Sequence, residues 1–156
     1  MNIKFHSTVL FVKDIEASKN FYCDILQLEI DTDFGNNVTL NAGISLWQVP
    51  DWHKINDDFY QRNKPNRALE LYFETEDILG VTELVEKNRI SQYQSMTEEE
   101  WGQKTIRMYD PDDNLVEIGE SLETFIRRMY EEGLSAEDIH KKSGVQTELI
   151  HKFIAS

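Results

Sequence analysis

The sequence predicts an α+β protein built from two βαβββ modules and a helical tail. A strand, a capped amphipathic helix and three short strands occur in that order, and the same order restarts 63 residues later, with Asp14 corresponding to Asp77. Strand patterns stop at Ser121, and apolar residues at helical spacing follow it. We therefore divide the chain into a first module (1–50), a connector (51–66), a second module (67–120) and a C-terminal helical extension (121–156).

Composition and charge restrict the class of protein. With 156 residues, of which 40% are hydrophobic and 29% charged, the chain suits one domain or two small repeats that share a core. The net charge of −13 disfavours nucleic acid and anionic membranes as partners. Cys23 is the single cysteine, which excludes an intrachain disulfide, and we interpret it as a buried small hydrophobe. Because no apolar run approaches ~18 residues and the start lacks a signal-peptide stretch, we expect a cytoplasmic protein.

The elements of the first module follow from local patterns. Residues 5–12 are rich in β-branched and aromatic side chains, which predicts a strand. Asp14 caps a helix whose apolar residues repeat at spacings of three and four as far as Leu26. Turn signals then separate three short strands, at 28–32, 37–41 and 44–49, whose spacing predicts a meander. The connector is polar and has room for one short helix.

The second module repeats these elements. A strand is predicted at 69–75, a helix at 78–88 and three further strands at 90–94, 104–109 and 115–118. A turn at 110–114 joins the last two strands, with Asn114 able to adopt a left-handed conformation. Two such curved sheets, placed edge to edge with their helices outside, would enclose a cleft.

The tail is predicted to be helical throughout. Gly133 ends a first amphipathic helix, Ser135 opens a capping box, Gly144 ends the second helix and residues 149–154 form a last short one. A helix–glycine–helix arrangement is also found in DNA-reading proteins. Since residues 122–156 carry five basic and six acidic side chains, they offer no basic footprint for DNA. We therefore expect a packing or dimer-covering role.

Two segments resemble signatures of a known superfamily. Residues 12–22, VKDIEASKNFY, resemble the V-x-D-[IL]-x-x-S-x-x-F-Y signature of vicinal oxygen chelate proteins. Residues 109–118, YDPDDNLVEI, resemble their Y-D-P-D-G-x-x-[IV]-E-[IL] ending, with Asp113 where glycine is usual. Residues 4–120 thus resemble the glyoxalase, bleomycin-resistance and dioxygenase superfamily, and the whole chain resembles a glyoxalase-like subgroup with a C-terminal helical extension.

That resemblance implies a metal site. Metal-using members draw four ligands from the first and last strands of the two modules, and the corresponding residues here are Ser7, Gln48, Glu70 and Glu117. Ser45 or Trp47 would replace Gln48 if the register differs, and His6 would take part if it faces the cleft. An oxygen-only ligand set suits one divalent ion such as Mg²⁺, Mn²⁺ or Ca²⁺, with Ni²⁺ or Zn²⁺ as a second choice.

The resemblance also implies how such a site would act. A divalent ion would polarise a substrate carbonyl, while Glu70 or Glu117 moves the proton as catalytic residue. One alternative is a metal-free site in which Glu70 and Glu117 point into a water-filled cleft, and another is that Glu70 pairs with Arg107. Arg107 could instead hold an anionic group of a ligand. His53 could serve as a base or a further ligand, although a solvated loop histidine is the simpler interpretation. The expected substrate pocket is lined by Trp47, Tyr72, Trp101, Arg107 and Tyr109.

Three functions are compatible with the resemblance. The first is a glyoxalase-like enzyme of lyase or isomerase type that acts on a small carbonyl or vicinal-oxygen substrate. The second is a metal-free protein that binds small molecules, as resistance proteins do. The third is a structural or regulatory subunit that uses the helical tail. By resemblance alone, we expect a homodimer.

Overall fold

The computed structural model describes residues 3–55 and 68–155. These residues belong to two compact units, Met1–Ala68 with Asp110–Asn114 and Leu69–Tyr109 with Leu115–Ser156. The first unit contains β1 (Thr8–Phe11), α1 (Ile15–Lys19), a π-helix (Asn20–Ile25), β2 (Ile30–Asp33), β3 (Asn37–Leu40) and β4 (Ile44–Trp47). The second contains β5 (Glu70–Thr75), α2 (Ile78–Lys87), β6 (Gln92–Glu98), β7 (Lys104–Tyr109), β8 (Leu115–Glu120), α3 (Leu122–Glu131), α4 (Ala136–Ser143) and α5 (Thr147–Ala155). The predicted α+β architecture of two βαβββ modules and terminal helices is confirmed.

The first sheet has the strand order β1-β4-β3-β2. Strands β2 to β4 form the predicted antiparallel meander, whereas β1 joins β4 in parallel after the crossover through α1. The alternating residues of one face are buried, on the side where α1 contacts β4: Leu10, Val12, Val38, Leu40, Ile44 and Leu46. This apolar face is the core of the first unit.

The first helix begins as predicted and ends differently. The Asp14 side chain accepts hydrogen bonds from the backbone N–H groups of Glu16 (3.0 Å) and Ala17 (3.2 Å), as an N-cap does. Beyond Lys19 the helix widens into the π-helix, where the N–H of Leu26 donates to the carbonyl of Phe21 at 3.0 Å. A five-residue hydrogen-bond spacing is not encoded in a 3.6-residue apolar period, so the pattern predicted an uninterrupted α-helix.

The second sheet repeats the topology, with the order β5-β8-β7-β6. Asp77 caps α2 by accepting from the N–H of Gly80 at 2.8 Å, and α2 packs on β7 and β8. Strand β6 runs over Gln92–Glu98 rather than the predicted 90–94. Because β6 is an edge strand with mostly exposed polar side chains, its C-terminal half shows no apolar alternation.

The turn between β7 and β8 belongs to the first unit. Its Asp110 side chain is buried and accepts a hydrogen bond from the Tyr22 hydroxyl at 2.7 Å. The same carboxylate accepts from the N–H groups of Asp112 (2.9 Å) and Asn114 (2.8 Å), which closes the turn. The left-handed residue is Asp113, with φ of 64°, and not Asn114 as expected. It stands where the superfamily signature has glycine, which adopts that conformation without strain.

The tail forms a small hydrophobic core of its own, made of Phe125, Ile126, Met129, Ile139 and Ile150. The predicted cap at Ser135 is present, since its hydroxyl accepts from a backbone N–H group in the first turn of α4, and the Ser121 hydroxyl caps α3 in the same way. Gly144 ends α4 in the left-handed conformation with φ of 74°. The tail is therefore a packed three-helix element of the second unit.

Two further expectations concern the connector and the presence of a membrane-spanning helix. Most of the predicted connector, with its short helix, lies at 56–67, which is outside the described residues. No helix in the described part of the chain has the length and apolar character needed to cross a membrane.

Candidate ligand site

One face of the second sheet is polar. The face toward α2 is buried and apolar, with Ile106, Met108, Val116 and Ile118 at 5% exposure or less. The alternate residues point to the other face, so Tyr72, Arg107 and Glu117 become lateral neighbours on β5, β7 and β8. The pleat of three adjacent strands thus brings together residues that lie far apart in the chain.

Arg107 is the centre of this face. Its Nη1 atom lies 2.6 Å from Glu99 Oε1 and 3.1 Å from Gln94 Oε1, and its Nε atom lies 3.3 Å from Glu70 Oε2. Its Nη2 atom contacts Glu117 Oε2. We call these five residues the Arg107 cluster. They bring both predicted catalytic carboxylates, Glu70 and Glu117, onto one guanidinium, and the Glu70–Arg107 contact is among these pairs.

The electrostatics of the Arg107 cluster differ from one carboxylate to the next. Burial raises the pKa of Glu117, Arg107 opposes that shift, and the neighbouring charges of Glu70 and Glu99 add to it. By contrast, the hydrogen bond from Arg107 lowers the pKa of Glu99. With three carboxyl groups around one cation, the cluster is negative when all are ionised. Of these two carboxyl groups, Glu117 is therefore the one whose protonated form is favoured by its surroundings.

A second hydrogen-bonded chain borders the cluster. Gln103 Nε2 donates to the Tyr72 hydroxyl at 2.8 Å, and the Trp101 indole N–H donates to Gln103 Oε1 at 3.0 Å. Gly119 makes room for this chain, because a Cβ atom there would lie 2.7 Å from Gln103 Nε2. Tyr72 and Trp101, both expected to line the pocket, are 47% and 41% exposed. Gln103 thus fixes two aromatic side chains that remain open to solvent.

The equivalent positions of the first sheet carry hydroxyl groups. Ser7 Oγ lies 2.8 Å from Ser45 Oγ, and Thr39 Oγ1 lies 3.2 Å from the same atom. The 63-residue shift relates Ser7 to Glu70. The same shift relates Tyr72 to Val9. Val9 pairs with Ser45 as Tyr72 pairs with Glu117, so Ser45 is equivalent to Glu117. Thr39 pairs with Ser45 as Arg107 pairs with Glu117, so Thr39 is equivalent to Arg107. We call Ser7, Thr39 and Ser45 the hydroxyl cluster.

Gln48, the expected fourth ligand, does not join the hydroxyl cluster. Its Oε1 atom accepts a hydrogen bond from the backbone N–H of Ile15 at 2.9 Å, at the start of α1. Ser45, the alternative residue, occupies the position equivalent to Glu117. The 63-residue shift relates Ser7 to Glu70, but it does not align the last strands, because the loop lengths differ between the modules.

The other predicted pocket residues are spread over both units. In the first unit, Trp47 packs near Phe11 (ring centroids 5.7 Å apart) and His53 (5.2 Å). His53 Nδ1 accepts a hydrogen bond from the N–H of Ile55, so His53 also shapes its own turn. In the second unit, the Tyr93 and Tyr109 rings lie nearly perpendicular, with their centroids 6.2 Å apart. His6 is exposed.

Sequence reasoning missed Glu99 and Gln94 as members of the Arg107 cluster. Glu99 is the middle residue of a Glu98–Glu99–Glu100 run, a pattern that usually marks a solvated segment. Only the antiparallel pairing of β6 with β7 brings Gln94 opposite Arg107 and folds Glu99 back onto it. The signal that could have identified Glu99 is Trp101–Gly102, which indicates a turn between two strands. A hairpin there places Glu99 beside the following strand, which contains Arg107.

The Arg107 cluster does not fit a divalent cation. The guanidinium lies between Glu70 and Glu117, so a metal ion bound to both carboxylates would meet a fixed positive charge. Within residues 3–55 and 68–155, no group of three or more His, Cys, Asp or Glu side chains is arranged to hold a metal ion. The hydroxyl cluster offers only neutral oxygens, which are weak ligands for such an ion.

Comparison with known proteins agrees with this architecture. Residues 5–123 match the family model described as "Glyoxalase-like domain". A protein of unknown function from Agrobacterium tumefaciens has 29% sequence identity and a TM-score of 0.65, over 78% of this chain and 97% of its own. A glyoxalase/dioxygenase from Nostoc punctiforme has 21% identity and a TM-score of 0.58, over 74% and 89%.

A more distant neighbour has a named resistance role. The fosfomycin resistance protein FosX from Listeria monocytogenes has 18% identity and a TM-score of 0.59, over 80% of this chain and 98% of its own. At this identity the likeness concerns the fold alone. No curated protein sequence matches the chain significantly. The family match ends at residue 123, so nearly all of the three-helix tail lies beyond it.

Proposed function

The chain belongs to the glyoxalase-like domain family, within the vicinal oxygen chelate superfamily, and on that basis we propose that it is a metal-free small-molecule-binding protein that prefers cationic ligands. The observation that carries this proposal is the Arg107 guanidinium, which takes the place between Glu70 and Glu117 that a metal ion would need. Instead of a metal ion that could polarise a substrate carbonyl, the site then holds the fixed Arg107 cation. The N–H groups of Arg107 already donate to neighbouring side chains.

The preference for a cation follows from the charges of the site. Glu70 and Glu99 place two carboxyl groups near the solvent-open face, with side chains 35% and 18% exposed. Arg107 is engaged by Glu70, Glu99, Glu117 and Gln94, so an anionic ligand would have to displace one of them. Tyr72 and Trp101 border the same face and offer aromatic surface to a planar or cationic group.

The test is a calorimetric titration with two probes of opposite charge. Metal-free bleomycin, which is cationic and carries a planar heteroaromatic group, should bind saturably without being converted, whereas anionic fosfomycin should not bind. Glu70→Gln should weaken bleomycin binding about five- to tenfold, the effect of one partly solvent-screened charge. Glu76→Gln, which removes an exposed charge just beyond β5, is the matched control. Preferential binding of fosfomycin would refute the proposal.

A second candidate function is a proton-transfer enzyme of the glyoxalase type. It is favoured by Glu117, whose burial raises the pKa of its carboxyl group. A carboxyl group with a raised pKa can take a proton from a carbon next to a carbonyl and return it to a neighbouring atom. The candidate substrate is a small carbonyl compound.

Turnover of the methylglyoxal–glutathione hemithioacetal tests this second candidate. Activity in metal-free buffer that disappears in Glu117→Gln and persists in Glu76→Gln would support the enzyme. Activity that requires an added divalent ion would instead contradict the metal-free site, and the bound metal would be measured by elemental analysis.

We further propose a homodimer, an assembly expected from the superfamily. Light scattering coupled to size-exclusion chromatography should give a mass near twice the 18.3 kDa of the chain. A mass equal to that of one chain would reject it.

A further inference from the structure

The tail contacts the loop that contains part of the candidate site. Arg128, in α3, donates from Nε to Glu120 Oε1 at 2.8 Å and from Nη2 to Glu120 Oε2 at 2.9 Å, a two-pronged pair at the end of β8. The same Nη2 atom donates to the carbonyl oxygen of Gly102 at 2.6 Å. The Arg128 and Glu120 side chains are only 17% and 3% exposed, so this pair is protected from solvent.

Gly102 lies in the loop between β6 and β7, residues 99–103, which we call the β6–β7 loop. It has φ of +99°, and a Cβ atom there would lie 2.5 Å from the Sδ atom of Met129 in α3. The loop backbone therefore approaches the tail as closely as a glycine allows. A second tail helix, α4, contacts the residue just before this loop, because Lys142 Nζ lies 2.6 Å from Glu98 Oε1.

The β6–β7 loop connects these tail contacts to the site. Its first residue, Glu99, lies 2.6 Å from Arg107 and also accepts from the Thr105 hydroxyl at 2.9 Å. Its last residue, Gln103, donates to the backbone carbonyl of Glu120 at 2.7 Å and to the Tyr72 hydroxyl. Glu120 thus takes part in both groups of contacts, through its side chain to the tail and through its main chain to Gln103.

We infer that Arg128 is a positioning residue, and that the three-helix tail sets the geometry of the ligand site from outside the Arg107 cluster. The forked guanidinium fixes the end of β8 and the carbonyl of Gly102 together, so that Glu99, Trp101 and Gln103 keep their places. A lysine has one ammonium group and cannot satisfy both partners at once. The inference rests on the proposed function only in identifying the cluster as a ligand site.

The experiment follows the Trp101 indole N–H, which reports the bond to Gln103. In ¹H–¹⁵N spectra, with its cross-peak assigned by Trp101→Phe, Arg128→Ala should shift this cross-peak, and Arg128→Lys should shift it in the same direction. Arg127→Ala removes the neighbouring arginine of the same helix, which pairs with Glu123, and should leave the cross-peak in place. Circular dichroism and melting curves confirm that each variant is folded at the temperature used.

Binding of metal-free bleomycin provides the second readout. Arg128→Ala should weaken it about tenfold, the effect of losing one charge-assisted contact that holds the site loop, and Arg127→Ala should not. If the Trp101 cross-peak is unchanged in Arg128→Ala, the positioning role is overturned, and if it is restored in Arg128→Lys, the need for a forked guanidinium is overturned. If the wild-type protein does not bind bleomycin, the proposed function fails, while the cross-peak still decides the role of Arg128.

Discussion

Glu99 and Glu117 contact the same guanidinium, yet their pKa values move in opposite directions. Glu99 gains a hydrogen bond from Arg107 while keeping some contact with solvent, so its ionised form is favoured. Glu117 is 5% exposed, and the cost of desolvating its charge exceeds what Arg107 returns. The surroundings of each side chain, rather than the residue type, therefore decide which carboxyl group has the raised pKa.

The stability contributed by Glu99 should depend on pH. Because its folded pKa is lowered, the contribution is present above the ordinary glutamate pKa of about 4.3 and is lost as the pH falls through the folded value. We expect Glu99→Gln to lower the free energy of unfolding at pH 7 by about 1 kcal/mol after solvent screening.

Urea titrations at pH 7 and at a pH below the folded pKa measure this difference. The loss should vanish at the acidic pH, where both side chains are neutral. Glu100→Gln, at an exposed neighbouring position, should show no loss at either pH. A loss that persists unchanged in acid would show that Glu99 acts through packing instead.

Gly102 is required for two separate reasons, and a matched variant separates them. Gly102→Ala adds left-handed strain and a collision with Met129, so we expect a loss of about 2–3 kcal/mol in unfolding free energy. Gly133→Ala, at φ of +100° with open space around it, carries the strain alone and should lose about 1 kcal/mol. Equal losses of unfolding free energy, measured by urea denaturation, would mean that Met129 moves to accommodate the added methyl group.

At the scale of elements, the β7–β8 turn is held by a buried phenol. Burial and the nearby Asp110 carboxylate raise the pKa of Tyr22, so the hydroxyl remains a donor at all ordinary pH values. Tyr22→Phe should cost about 1–2 kcal/mol and leave Asp110 short of a donor. Hydrogen exchange at the N–H groups of Asp112 and Asn114 should accelerate.

An exposed tyrosine provides the control for this prediction. Tyr93→Phe, at a side chain 62% exposed, should change neither stability nor exchange in the turn. Unchanged exchange at Asp112 and Asn114 in Tyr22→Phe would mean that the turn is held by its own Asp110 hydrogen bonds alone.

How far the elements could be predicted depended on whether their signals are local. The caps at Asp14, Asp77 and Ser135 were predictable because a cap is defined by residues within one helical turn. The π-helix was not predictable, because it arises from a change in backbone hydrogen-bond spacing that the apolar pattern does not record.

The site was predictable only in part for the same reason. The repeat and the signature predict Glu70 and Glu117, and the strand pattern also predicts an ion pair between Glu70 and Arg107. The place of Ser45, and the membership of Glu99, depend on strand register and on a hairpin, which are set by contacts distant in sequence.

On the scale of the whole molecule, the net charge of −13 should make stability depend on salt. Exposed like charges repel across distances that salt screens, with a Debye length of about 30 Å at 0.01 M and about 8 Å at 0.15 M. The Arg107 and Arg128 ion pairs are largely buried and should lose less to screening.

We therefore expect the melting temperature at pH 7.5 to rise as sodium chloride is added. The rise should shrink toward pH 4.6, the calculated isoelectric point, where the net repulsion disappears. A melting temperature that falls with salt at pH 7.5 would mean that favourable ion pairs outweigh the general repulsion.

The repeated architecture has a consequence for how such a protein can change over evolutionary time. Two copies of one strand register supply two sets of three equivalent positions, of which one holds charges and the other holds small hydroxyl side chains. Substitutions at Ser7, Thr39 or Ser45 can alter the first copy while the second keeps its ion pairs. Duplication thus leaves a spare set of positions on which new specificity can arise without dismantling the old one.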